Sequence, residues 1–193
     1  MWKLTAAGIP DPLSHRVLVS LGSNIWREVN LPAAARLLGR RGRLLALSSV
    51  YETAPVGLTE QPPFLNAAAL VATDLSAWDF KQRVLRPIER RLGRRRCPDA
   101  NAPRTIDADI TLYADQILEL PDGGRVPDPD LLRYLHVAVP AAEIAPDWRH
   151  PETGEPLAFI AGRLTAAAEA RGEMAPRLLT LDGWPPFIRP LGP

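Results

Sequence analysis

The chain is poor in the groups on which many enzymes depend. Cys97 is its only cysteine among 193 residues. An intrachain disulfide and a thiolate metal cage are therefore excluded, and a reducing, cytoplasmic setting is expected. Lysine is almost absent, at Lys3 and Lys81 alone. No lysine is expected anywhere near a glycine-rich turn, and no G-x-x-x-x-G-K-[ST] is present, so a P-loop is excluded. No G-x-S-x-G or H-E-x-x-H appears, and His15, His136 and His150 suggest no triad. No apolar run is long enough for a membrane span, and the mixed segment Met1 to Arg16 does not read as a signal peptide. The net charge of +1 gives no overall electrostatic case for nucleic acid.

What is present is a core and a concentration of arginine. Hydrophobic residues make up 46% of the chain, far from the disordered class. The length favours one domain. Residues 1–15 read as a flexible extension, 16–172 as a single domain, and 173–193 as a tail rich in Pro and Gly.

Strands are expected at Arg16 to Leu21, Leu44 to Glu52, Phe64 to Thr73 and Ile106 to Tyr113. A helix capped by Asn30 runs to about Arg41, and another capped by Ser76 runs to about Leu92, with Pro87 as a kink or early break. Gln116 to Leu120 reads as a hairpin return over the turn 122–124. Shorter helical patterns lie in Leu131 to Val139 and Glu155 to Gly172. The order strand, helix, strand, strand, helix, strand is the split pattern of an α+β, ferredoxin-like βαββαβ sandwich. It predicts a mainly antiparallel sheet with helices on one face, C-terminal additions, and the other face free for ligands.

The most informative segment is Arg94-Arg95-Arg96 followed by Arg104-Thr105-Ile106-Asp107-Ala108-Asp109-Ile110. On a strand, Ile106, Ala108, Ile110 and Leu112 face the core, and Asp107 and Asp109 share the opposite face. Two carboxylates roughly 6.6 Å apart repel unless cations sit beside them. Oxygen ligands with forked arginine donors nearby suit Mg²⁺ and a polyphosphate. Phe64 and Asn66 share a strand face and could stack on, and hydrogen-bond to, a flat heterocycle. Each feature alone has a bland reading: a solvated D-x-D, a packed Phe, a capped Asn.

Together the pieces resemble the 6-hydroxymethyl-7,8-dihydropterin pyrophosphokinase family of folate biosynthesis. The matching stretches are Leu21-Gly22-Ser23-Asn24, Ser49 to Gly57, Gln61 to Ala68, Ile88-Glu89 with Gly93 to Arg96, Pro103 to Ile110, and Ala142 to Pro146. The resemblance runs from about Val17 to about Pro151. It implies transfer of the β,γ-pyrophosphoryl group of ATP to the pterin hydroxymethyl, giving AMP. It implies two Mg²⁺ ions at Asp107 and Asp109, with ATP as co-substrate and Arg94, Arg96 and Arg104 as catalytic arginines. It assigns the pterin to Gly22, Thr53, Pro55, Val56, Phe64, Asn66 and His136. It assigns the nucleotide to Arg86, Glu89, Arg96, Arg104, Ile110, Arg125 and Arg133. The family often has Trp where Asn101 stands and His where Asp128 stands, and an arginine of the family aligns with Tyr134. A monomer or weak homodimer is expected, with no nucleic-acid or membrane partner. The rival readings are a catalytically weak homologue that senses pterin or nucleotide, and a ferredoxin-like RNA-binding module.

Overall fold

The structure is a computed structural model that describes residues 15–57, 60–95, 99 and 101–185. Arg96, part of the basic loop around it and most of the N-terminal extension lie outside the described residues.

Two long strands form the middle of the sheet. β1 (His15–Ser23) pairs antiparallel with β4 (Phe64–Thr73) along its whole length. β5 (Asp107–Tyr113) flanks β1, while β2 (Arg43–Leu47) and β3 (Val50–Thr53) both pair with β4. Every pairing is antiparallel, as the split βαββαβ order predicts. Alternation divides the side chains between two cores. Val17, Val19, Leu21, Leu65, Ala67, Ala69 and Val71 face one way. Leu18, Ala68 and Leu70 face the other.

The first face is covered by α1 (Arg27–Arg41) and by a helical run of α2 (Ala77–Phe80), a π-turn (Lys81–Leu85) and α3 (Arg86–Arg91). Ser76 caps this run by accepting a bond from the Asp79 N–H. Pro87 does not end it. A proline lacks the donor that residue 83 needs and its ring crowds that carbonyl. The backbone widens one turn earlier, and the Arg83 carbonyl takes a long bond of 3.5 Å from Arg41 instead. Asn30 is not the cap of α1: the helix starts at Arg27, after Trp26 in a left-handed conformation. The Asn30 amide donates back to the Ile25 carbonyl at 2.7 Å.

The expected single strand from Leu44 to Glu52 is broken in two. Ser48 turns its hydroxyl to the Ala68 N–H, and Glu143 accepts from the Ser49 N–H, the Ser49 hydroxyl and the Tyr51 hydroxyl. Side-chain bonds thus replace the ladder where the chain bends. A second departure lies in β5. Leu18 pairs with Leu112 and Val19 with Ile110, so Thr111 is an extra residue, a bulge. The alternation flips there. Leu112 packs on the second core, opposite to the sequence expectation, and Tyr113 packs on the first.

The second face is not wholly free. Beyond the hairpin of β6 (Leu118–Glu119) and β7 (Arg125–Val126), a 3-10 turn (Pro129–Leu132) leads to α4 (Leu135–Ile144) and α5 (Leu157–Ala170). Leu131, Ala138, Ala141, Ile144, Leu157 and Ile160 cover Leu18, Leu70 and Leu112. The part of this face around Gly22, Asn66 and Asp107 stays open. β8 (Arg177–Leu179) pairs with the outer side of β3, and the Trp184 indole donates to the Ser48 carbonyl at 3.0 Å. Among the described residues no helix is long and apolar enough to cross a membrane.

Candidate active site

One row of the sheet carries the site. Asp107 on β5 lies opposite Gly22 on β1, Gly22 opposite Asn66 on β4, and Asn66 opposite Tyr51 on β3. One step along, Asp109 lies opposite Ser20. Gly22 has a steric reason to be glycine. A Cβ there would sit 3.2 Å from the Asn66 amide oxygen and 4.0 Å from the Phe64 ring. The Asn66 amide nitrogen donates to the Thr53 hydroxyl at 2.8 Å, which fixes its orientation at the end of the row.

The chain entering β5 is stitched to the end of β1. Ser23 donates to the Thr105 carbonyl at 2.6 Å, and the Asn24 side chain accepts from the Arg104 N–H at 2.7 Å. Asn24 also donates to Gln61 and to the Pro62 carbonyl, and Gln61 donates to the Asn101 carbonyl. Thus Leu21-Gly22-Ser23-Asn24 both opens space and holds two loops in register with the aspartates. Gly57, at φ +79°, lies against Asn101 so closely that a Cβ would be 2.6 Å from its amide nitrogen.

Two clefts meet at the aspartates. The first, about 360 Å³, is lined by Gly22, Thr53, Phe64, Asn66 and His136. The second, about 410 Å³, is lined by Lys81, Arg86, Arg94, Arg95 and the turn around Gly124. Arg104, Asp107 and Asp109 border both. Arg104 spans the junction: its guanidinium lies 5.6 Å from the Phe64 ring centre and pairs with Asp107. Arg94 approaches Asp107 at 3.5 Å, yet its Nε and Nη1 are buried with no hydrogen-bond partner among the described residues.

Three carboxyl groups around the strand hold their protons more tightly than usual. Burial, and then the neighbouring Asp107, push Asp109 up to about 6, against Lys81, Arg86 and Arg94. Beneath the strand, Glu89 is 3% exposed; it accepts from Arg86 at 2.8 Å and, at 3.4 Å, from the Ala108 N–H between the two aspartates. Burial, and secondarily the two aspartates, raise it to about 7, although Arg86 opposes this. Asp128 is raised to about 6 chiefly by burial. Burial lowers His136, which favours a neutral ring. That ring stacks with Tyr134 at 5.2 Å.

The family model described as 7,8-dihydro-6-hydroxymethylpterin-pyrophosphokinase (HPPK) matches residues 18–146. The chain belongs to this family. A 2-amino-4-hydroxy-6-hydroxymethyldihydropteridine pyrophosphokinase of Porphyromonas gingivalis is 37% identical over 144 residues, 72% of this chain and 97% of that protein. One from Pseudomonas aeruginosa is 38% identical over 144 residues, 72% of this chain and 85% of its own length. The fold agrees with a solved structure described as HPPK-DHPS in complex with substrates, at a TM-score of 0.66 and 12% identity over 85% of this chain. A Plasmodium falciparum HPPK-DHPS gives a TM-score of 0.62 at 12% identity over 83% of this chain. The chain spans less than half of those two, covering 45% and 46% of them.

Of the pterin residues that the family resemblance assigns, Gly22, Thr53, Val56, Phe64, Asn66 and His136 line the first cleft. Pro55 borders a neighbouring hollow with Arg133. Arg86, Arg94 and Arg104 line the second cleft with both aspartates. Of the other described nucleotide residues, Glu89, Ile110, Arg125 and Arg133 line neither cleft. The Ile110 side chain is in the helix-side core, and Arg125 pairs with Glu152. Glu89 lies behind the strand. Arg96 lies outside the described residues. Sequence reasoning missed Lys81, and it missed the stitching by Ser23, Asn24 and Gln61. The turn 122–124 does have a lysine beside it, brought there from α2's C-terminal end.

Proposed function

We propose that the chain transfers the β,γ-pyrophosphoryl group of ATP to the hydroxymethyl group of 6-hydroxymethyl-7,8-dihydropterin, giving AMP and the pterin diphosphate. It is read as a transferase of folate biosynthesis. The observation that carries this reading is the meeting of two chemically different clefts at Arg104, Asp107 and Asp109. One has the flat apolar and amide surfaces that a heterocycle needs, and the other has the cations that a polyphosphate needs.

In the first cleft, Phe64 and the neutral His136 ring offer stacking faces. Asn66 and Thr53, already bonded to each other, offer polar atoms to the pyrimidine edge. Gly22 leaves the floor open, so the hydroxymethyl group can reach the Asp107 end of the row. In the second cleft the unpaired Arg94 donors and Arg86 face the phosphates, and Arg104 bridges to the attacked phosphorus. A new bond forms from the hydroxymethyl oxygen to the β-phosphorus as the hydroxyl proton passes to solvent. The bond to the oxygen shared with the α-phosphorus breaks, and AMP leaves. Positioning and charge neutralisation carry such transfers, so an arginine-lined site without a nucleophilic side chain suffices.

The residues fit magnesium. Among the described residues no group of three or more His, Cys, Asp or Glu could hold a metal. Asp107 and Asp109 would supply the protein oxygens for two Mg²⁺ ions, and phosphates and water the remainder. Bound there, Mg²⁺ would neutralise the phosphate oxygens and draw the attacking hydroxyl into line. Burial, and then the charge of Asp107, raise Asp109, and a cation beside the two carboxylates would offset the second of these. The proposed catalytic unit is residues 16–172, in the cytoplasm, acting as a monomer or weak homodimer.

The test is incubation with Mg-ATP and the pterin, following AMP. Stoichiometric AMP and pterin diphosphate are expected. Tight binding of both ligands without AMP would favour the sensor reading. Retention of RNA at moderate salt would favour an RNA-binding module.

A further inference from the structure

Lys81 stands where the helix pattern calls for an apolar residue. Ala77, Phe80, Val84, Leu85 and Ile88 all belong to the core beneath the sheet. Position 81 follows Ala77 by four and precedes Val84 by three, so it falls on that same stripe. Its side chain is only 9% exposed. An ammonium at such a position costs stability unless it is paired or used. The π-turn begins at Lys81, and π-turns inside helices are often found at functional sites.

Lys81 does not end in the core. Its Nζ emerges at the wall of the second cleft, 2.8 Å from the Asp122 carboxylate. A Cβ on Gly124 would lie 2.9 Å from Nζ, so this turn leaves room for the ammonium by being glycine. Asp122 is shared with Arg86 at 3.3 Å, which also lines the cleft. An ammonium has three donors, and Asp122 is its ion-pair partner among the described residues. Five cationic and four carboxylate side chains line this cleft among the described residues. Lys81 is one of these five cations.

We propose that Lys81 is a polyphosphate-binding residue of the second cleft, delivered through the core stripe by the π-turn and aimed by Asp122. The proposal rests on the reading of this cleft as the nucleotide side. A lysine there acts as a compact point charge on phosphate, complementing the planar arginine forks. A purely structural Lys81–Asp122 bridge predicts something different. Removing one partner of a buried pair is destabilising where it strands the other charge. A bridge that served the fold alone would therefore show its loss as a lower melting temperature with phosphate affinity intact.

The experiment compares wild type with Lys81→Met, Lys81→Gln and Lys81→Arg. It measures affinity for a non-hydrolysable ATP analogue with Mg²⁺, for inorganic tripolyphosphate with Mg²⁺, and for the pterin, together with the melting temperature. The Met and Gln variants should lose about ten-fold or more in affinity for both phosphate ligands, the usual scale for a lost charge-assisted bond. Their pterin affinity should be unchanged, and the Met variant should melt near the wild-type temperature, because Asp122 is part-exposed and keeps Arg86 and solvent as partners. Lys81→Arg should recover part of the loss. Unchanged tripolyphosphate and nucleotide affinity in the Met and Gln variants overturns the proposal. So does an equal fall in pterin affinity accompanied by a lower melting temperature. If wild type binds tripolyphosphate through Lys81 but yields no AMP, the pyrophosphokinase reading fails and the assignment of Lys81 stands. If wild type and Lys81→Met yield AMP with the same nucleotide affinity, the reverse holds.

Discussion

Replacing Gly22 by alanine should damage pterin binding while leaving nucleotide binding intact. The added methyl would rise from β1 between Asp107 and Asn66, on the open side of the sheet. Its carbon would lie 3.2 Å from the Asn66 oxygen and 4.0 Å from Phe64. Gly22 has no positive φ, so alanine brings no backbone strain. The free protein can yield a few tenths of an ångström at the Asn66 amide, although the 2.8 Å bond to Thr53 resists it. A bound heterocycle lying across Gly22 has no such freedom. One extra carbon in a packed site costs about 1–3 kcal/mol, a loss of roughly 5- to 150-fold in affinity. Gly22 does not line the second cleft, so affinity for a non-hydrolysable ATP analogue should not change. Calorimetric titration with each ligand separately, beside a melting curve, decides the matter. Wild-type pterin affinity in Gly22→Ala would refute the idea that the heterocycle crosses this glycine. A melting point lowered by more than about 5 °C, well over 1 kcal/mol for a domain of this size, would move the effect from the ligand to the fold.

Asp107→Asn or Asp109→Asn should abolish AMP formation without unfolding the chain, because each removes cation-binding oxygens and relieves like-charge repulsion; near-normal turnover with Mg²⁺ in either variant counts against the assignment. Asn66→Ala should weaken pterin binding by about 1–3 kcal/mol and nucleotide binding far less, and calorimetry showing equal losses for both ligands would make Asn66 structural. Glu143→Ala strands three donors, the Ser49 N–H and hydroxyl and the Tyr51 hydroxyl. It should cost about 2–4 kcal/mol in urea unfolding, and a loss near zero would mean that the bend at Ser48 holds without it. Asp109 and Glu89 have folded values of about 6 and about 7, above the roughly 4 of unfolded carboxyls. The folded state therefore binds their protons more tightly, and the stability present below about pH 4 is lost as pH rises through 6 to 7. Without Mg²⁺ the melting temperature should fall from about pH 5 to about pH 7.5, and Mg²⁺ should narrow the gap. A profile that is flat and insensitive to Mg²⁺ would contradict the electrostatic picture.

Much of the sheet was legible because its strands carry strong local patterns. Phe64–Thr73 has the predicted limits, and Asp107 and Asp109 stand on one face because strict alternation holds as far as Ile110. The pattern then misleads. A bulge at Thr111 adds one residue, and nothing in Ile110-Thr111-Leu112-Tyr113 marks which of them lacks a partner. The division at Ser48 depends on Glu143, ninety-five residues later in the chain, and so has no local signal. The cover on the second face was read only as helical patterns, because where a helix packs depends on tertiary context. Six of the seven pterin residues converge on one cleft, yet those came from a family pattern of ordered motifs rather than from periodicity. Lys81 could have been found earlier: a lone charge on a stripe of Ala77, Phe80, Val84 and Ile88 breaks the amphipathic rule, and such breaks tend to fall at functional or strained places.

The pairing of β8 with β3 bears on how this protein avoids sticking to itself. A bare outer strand offers unpaired N–H and C=O groups to any passing chain. Here Leu179 to Arg177 occupy the rim at Val50 to Glu52, and the Arg177–Glu52 pair places charge along it. A version of the chain cut after residue 172 would retain both clefts but uncover that rim. Such a truncation should bind its ligands and yet form edge-to-edge aggregates on concentration, which light scattering would register. A truncated chain that stays monodisperse would mean that the rim is protected by its shortness alone.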